Sequence, residues 1–111
     1  MGIIKPKEII RITLGDEIPD IEGVYVLAYM GRIVYVGKAE CGVLSRLKEH
    51  INNAIDELLG AWIMKNRDWE NIRLDILVPP ISKNMRLWVA EVEDACIKRF
   101  DPLLNIQLMK G

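Results

Sequence analysis

Glu93 lies in a stretch of helical spacing with Val89 and Ala90 at i−4 and i−3 and Cys96 and Ile97 at i+3 and i+4, so its carboxylate projects from an apolar neighbourhood. Glu91 and Asp94, at i and i+3 of each other, suit a solvated face instead. A carboxylate half-buried among apolar groups is costly unless a cation or hydrogen-bond donors meet it. Two arrangements satisfy it: an ion pair with Arg46 or Lys38, or a divalent metal. One hard protein oxygen, with water and phosphate in the other positions, is how Mg²⁺ is often held at phosphate chemistry. From the residues alone both remain open.

Elsewhere the chemistry-bearing side chains cluster in "GVYVLAYMGRIVYVGK", where Gly23-Val24-Tyr25 is nearly mirrored by Tyr35-Val36-Gly37 with nine residues between the tyrosines. The ordinary reading of either tyrosine is cross-strand packing. Cys41 with a histidine downstream invites a thiol nucleophile, yet no orienting partner accompanies it. Trp62, Trp69 and Trp88 are candidates for base stacking or for the core of so small a domain.

These residues need elements to position them. "VYVLAYM" and "RIVYVGK" are β-branched and aromatic runs joined at Met30-Gly31, which predicts a β-hairpin placing Tyr25 and Tyr35 opposite or one register step apart. From Val43 the period changes: Leu44, Leu47, Ile51, Ala54, Ile55 and Leu58 predict an amphipathic helix of about four turns ended by Gly60. Arg46, His50 and Asn53 share another face of it. "AWIMKNRDW" is ambiguous between loop and a further short helix. "NIRLDILVPP" sets Ile72, Leu74, Ile76 and Val78 against Arg73, Asp75 and Leu77, a half-buried strand closed by Pro79-Pro80. Residues 84–100 return to helical spacing with Met85, Trp88, Val89, Val92, Ala95 and Cys96 on one stripe, stopped by Pro102. Residues 9–14 alternate weakly and are a candidate strand, whereas "GDEIPDIEG" carries loop punctuation. The expected architecture is α+β: a small antiparallel sheet of about three strands flanked by helices, in one domain spanning 1–111. Residues 1–22 read as extension and lead-in, and 23–106 as the core.

Composition narrows the class. Half of the 111 residues are apolar, enough for a core. No apolar run reaches the roughly 18 residues of a membrane span, and Pro6 interrupts the N-terminus before a signal peptide develops, so no membrane is expected and a cytoplasmic setting is. Cys41 and Cys96 form no paired motif, which predicts reduced thiols and neither a disulfide framework nor a zinc site. Net charge is −1 and pI about 5.8, against a protein that coats nucleic acid by bulk charge. Residues 23–111 carry 12 basic against 11 acidic side chains, so a local site is not excluded.

The set Gly23-Val24-Tyr25, Tyr35-Val36-Gly37-Lys38, Arg46 and His50 on the following helix, then Glu93 twelve positions before Asn105, resembles the GIY-YIG nuclease family. It looks closest to the nuclease domain at the N-terminus of the nucleotide-excision-repair incision subunit. "IPDIEGVYVL" is similar to that family's lead-in and "EDACIKRFDPLLN" to its ending, so the likeness runs from about Pro19 to Ile106. It implies a DNA endonuclease, with a role such as DNA repair, dependent on Mg²⁺ or Mn²⁺. A partner subunit or self-association is then a possible source of target choice. The other reading is a weakly active or inactive module of the same fold that docks nucleic acid or protein.

Phosphodiester hydrolysis needs a deprotonated nucleophile, stabilisation of phosphate charge and relief of charge on the leaving oxygen. By the resemblance, Glu93 holds the metal, a Lewis acid at the leaving oxygen. Arg46, with a planar fork of donors, suits the nonbridging oxygens, although an i, i+3 pair with Glu49 is its bland alternative. Tyr35 resembles the general base, with Tyr25 positioning the water or phosphate, roles that are exchangeable. A phenol with pKa about 10 needs a downward shift of about 3 units, near 4 kcal/mol, to be half ionised around neutrality. Lys38 and the metal are candidates for part of that. His50 suits a proton relay or a hydrogen bond to a tyrosine hydroxyl, and Asn105 a supporting hydrogen bond to backbone or around Glu93. Gly23 and Gly37 remove side chains where backbone must approach phosphate or another strand.

Overall fold

The computed structural model describes residues 5–53, 58–81 and 84–105. Four strands, β1 (Glu8–Thr13), β2 (Gly23–Tyr29), β3 (Arg32–Ala39) and β4 (Arg73–Val78), form one antiparallel sheet in the order β1-β4-β2-β3. Helices α1 (Val43–Asn52), α2 (Leu58–Lys65) and α3 (Met85–Phe100) complete a small α+β domain, with a 3₁₀ turn at Trp69–Asn71. The sheet is one strand larger than expected because the weakly alternating segment after residue 8 pairs along the whole of β4, Glu8 opposite Val78 and Thr13 opposite Arg73.

The β2–β3 hairpin turns at Met30 (φ 52°) and Gly31 (φ 79°); both loop residues take positive φ, which matches the right-handed twist of the strands. Leu27 faces Tyr35 but Ala28 faces Ile33, so Val34 is an extra residue on β3. This bulge lets Val34 and Tyr35 both enter the same core cluster, although adjacent strand residues normally point apart.

Each face of the sheet has its own cover. Tyr25, Leu27, Tyr35, Leu74 and Ile76 meet Val43 and Leu47 of α1 and Leu59 and Ile63 of α2, while Val24, Val26 and Val36 on the opposite face meet Trp88, Val89 and Val92 of α3. Strand β2 is therefore buried on both faces.

Several expectations need correction. The helix predicted from Val43 to Gly60 is two helices: α1 ends at Asn52, and Gly60 is buried inside α2 rather than terminating anything. Ala54 and Ile55 lie outside the described residues, as does the tail beyond Asn105. Met85 and Ala95, placed on the apolar stripe of α3, are exposed. Asp75, assigned to a solvated strand face, is buried because β4 lies inside the sheet between β1 and β2. Its Oδ2 lies 3.3 Å from Arg73 Nε and 3.7 Å from Arg11 Nε.

Among the described residues, no helix is long and apolar enough to cross a membrane.

Candidate active site

Tyr25, Tyr35, Lys38, Arg46 and Glu93, from two strands and two helices, line one cleft of about 500 Å³. Register explains how the hairpin contributes. Tyr25 pairs with Gly37 and Leu27 with Tyr35, so the phenols sit one step apart on the same sheet face, ring centroids 6.1 Å apart. A Cβ on Gly37 would lie 2.5 Å from both Cζ and Oη of Tyr25 and 2.8 Å from Cε2 of Tyr35, so glycine is what lets both rings lie flat there. Gly23 serves another purpose away from the cleft lining: its Cβ would lie 2.7 Å from the Leu77 carbonyl of β4, a close approach of strands and not a phosphate seat.

Helix α1 supplies Arg46 and, one turn on, His50. Arg46 stays half-exposed at the cleft, whereas His50 is 1% exposed and reaches beneath the tyrosines. Tyr25 Oη and His50 Nε2 share a hydrogen bond of 2.8 Å, and the imidazole centroid is 5.6 Å from that of Tyr35. Burial raises the Tyr25 phenol far above its ordinary 10 and the neighbouring Tyr35 pushes the same way; Arg46 pulls against them, and Glu93 adds a lesser upward push. The phenol is thus harder to ionise in the protein alone than in water, opposite to what a free-standing base requires.

Glu93 reaches the cleft from α3, half-buried. Burial raises its carboxyl, and the charges of Lys38 and Arg46 and a hydrogen bond from the Lys38 backbone offset part of the rise. Those two cations make their ion pairs elsewhere, Lys38 with Glu40 at 4.0 Å and Arg46 with Glu49 at 3.0 Å. Among the described residues, no group of three or more His, Cys, Asp or Glu side chains comes together as a metal cluster. A divalent cation here would rest on the Glu93 carboxylate with water and phosphate completing its shell. That donor set fits Mg²⁺, which keeps several of its waters, and the cleft has room for a hydrated ion.

Asn105 supports the cleft without lining it. Its Oδ1 accepts from Val36 N–H at 2.8 Å and its Nδ2 donates to Val36 C=O at 2.9 Å, both buried. Leu103 and Leu104 donate to the Ile33 and Val34 carbonyls at 3.3 and 2.8 Å, so residues 103–105 close the outer edge of β3 beside Tyr35 and Gly37.

The chain matches no protein-family model, no curated protein and no solved structure. What the cleft can do therefore follows from its own groups.

One contributor escaped sequence reasoning. Helix α1 begins at Gly42 (φ 135°) with no capping side chain of its own, and Asp20 of the lead-in supplies one: Ser45 donates through N to Oδ1 at 2.9 Å and through Oγ to Oδ2 at 2.8 Å. These hydrogen bonds, the Ser45 backbone first, lower the Asp20 carboxyl. Ser45 also lines the cleft, so this latch helps set where Arg46 emerges. Glu49 stands at the rim in the i, i+3 pair with Arg46 that the sequence offered. Cys41 is exposed at the cleft mouth, while Trp88 is core and Trp62 packs edge-on to Tyr29 at 5.8 Å.

Proposed function

We propose that this protein is a divalent-metal-dependent endonuclease that hydrolyses DNA phosphodiester bonds in the Tyr25–Tyr35–Arg46–Glu93 cleft. One observation carries the reading: two phenols, a guanidinium and a half-buried carboxylate from four separate elements line the same cleft, with an imidazole bonded to one phenol. Packing alone requires no such convergence, and the GIY-YIG resemblance assigns these same residues.

The roles follow from their environments. Glu93 would hold the metal, which when bound would supply Lewis-acid relief of charge at the leaving oxygen. Arg46 turns its donors to the nonbridging oxygens, with Lys38 adding charge beside it. Tyr35, 5% exposed, is the more accessible phenol and as its phenolate takes the proton of the attacking water; Tyr25, fully buried, orients that water. The phenol that burial raises is Tyr25, and His50 Nε2 holds its hydroxyl at 2.8 Å, so that pair stays protonated and orients the attacking water beside Tyr35. Asn105 keeps the β3 backbone in register beneath the pair.

Relaxation of supercoiled plasmid tests the proposal. Wild type should nick it with Mg²⁺ or Mn²⁺ and not with chelator, and Glu93→Ala should not nick it. Nicking that survives the substitution refutes the metal assignment. No nicking under any divalent metal transfers the protein to the docking-module reading.

A further inference from the structure

Both cations of the cleft are already engaged by acids on its rim. Arg46 Nη1 donates to Glu49 Oε1 at 3.0 Å, with the two side chains 41% and 61% exposed, and Lys38 Nζ lies 4.0 Å from Glu40 Oε2. Glu40 and Glu49 line the same cleft as Glu93, so three carboxylates face whatever enters against two cations. Neither rim acid belongs to the buried core, and i, i+3 or near-neighbour ion pairs on an exposed surface add little to folding. Their placement matters for a different reason: the donors that suit a phosphate are not idle in the free protein.

Resting on the nuclease reading above, we infer that Glu49 sets the affinity and selectivity of the cleft by standing in for substrate phosphate on Arg46, with Glu40 acting more weakly on Lys38. A phosphodiester must displace the Glu49 carboxylate before Arg46 can grip it. Exchange of one anion for another on the same guanidinium yields little net binding energy, so a passing polyanion is held loosely. A phosphate that also met a cation on Glu93 would make the exchange favourable. The cleft thereby selects a phosphodiester seated for reaction over DNA in general, in keeping with a chain whose net charge is −1.

Glu49→Gln and Glu40→Gln test this, because both sites are exposed and the substitutions keep side-chain volume. A short fluorescein-labelled DNA duplex is titrated in chelator at low salt, and cleavage of unlabelled plasmid in Mg²⁺ is measured on the same preparations. Glu49→Gln should bind the duplex about threefold to fivefold more tightly, the worth of one exposed ion pair. The slope of log affinity against log salt should steepen by up to about one phosphate contact. Glu40→Gln, at the longer pair distance, should gain less. In steady state the KM of Glu49→Gln falls while kcat holds. Unchanged or weaker duplex binding by Glu49→Gln overturns the inference, and weaker binding would instead make Glu49 an orienting partner of Arg46 or an ally of Glu93 toward the cation. If wild type cuts while Glu49→Gln binds no differently, only this inference fails. If wild type neither binds nor cuts, the nuclease reading fails with it.

Discussion

Truncating Asn105 to alanine should cost far more than an ordinary amide on a surface. Its carboxamide pairs with both backbone groups of Val36, at 2.8 and 2.9 Å, and Asn105 and Val36 are 1% and 0% exposed. Alanine leaves one buried N–H and one buried C=O without these partners. Each such loss costs about 1–3 kcal/mol, so with partial relaxation the sum is about 2–4 kcal/mol. A domain of this size has about 5–15 kcal/mol of stability in total, so the folded state should survive at room temperature with a much lower urea midpoint and an unchanged m-value. Cleavage should fall beyond what unfolding explains, because Val36 lies between Tyr35 and Gly37. Asn105→Asp provides the control: it retains an acceptor for Val36 N–H but sets an oxygen against Val36 C=O, and should be destabilised too. A loss below about 0.5 kcal/mol for Asn105→Ala, within the range of neutral surface changes, would refute the claim that this amide closes the edge of β3.

Three more outcomes are expected. Gly37→Ala should retain its circular dichroism spectrum but lose at least about tenfold in cleavage, since the new methyl occupies the space of the Tyr25 hydroxyl and moves it off His50. Burial raises the Glu93 carboxyl above its ordinary 4.5, so the folded state keeps a proton that the unfolded chain has lost. Stability from this group is therefore fully present below the ordinary value and lost as pH rises through the folded one; urea midpoints in chelator should show this fall in wild type and not in Glu93→Gln. Asp20 runs the other way: its lowered carboxyl contributes above the ordinary 3.8 and loses that contribution as pH falls through the folded value, so the thermal midpoints of wild type and Asp20→Asn should converge in acid.

The hairpin was legible because its signals are local: β-branched and aromatic runs on either side of a glycine that takes positive φ. The apolar setting of Glu93 was equally readable from its i±3 and i±4 neighbours, and its half-burial follows directly. What escaped depends on partners distant in sequence. Asp20 caps a helix that begins more than twenty residues later, so its place in an acidic loop carried no hint of the latch. Asp75 looked solvated by alternation, since its burial depends on β1 and β2 flanking β4. The break between α1 and α2 was hidden by apolar spacing that stays in phase from Leu47 to Leu58. Arg46 makes the i, i+3 pair with Glu49 that its spacing allows, and it also lines the cleft.

Single-turnover cleavage of an end-labelled DNA duplex, run beside duplex binding by anisotropy for wild type and Glu93→Gln, tests the metal-dependent cleavage at Glu93 most directly. Wild type should cut in Mg²⁺ and not in chelator, while Glu93→Gln should still bind the duplex but leave it intact. Cutting by Glu93→Gln at the wild-type rate, or intact duplex with wild type under every divalent metal tried, would contradict it.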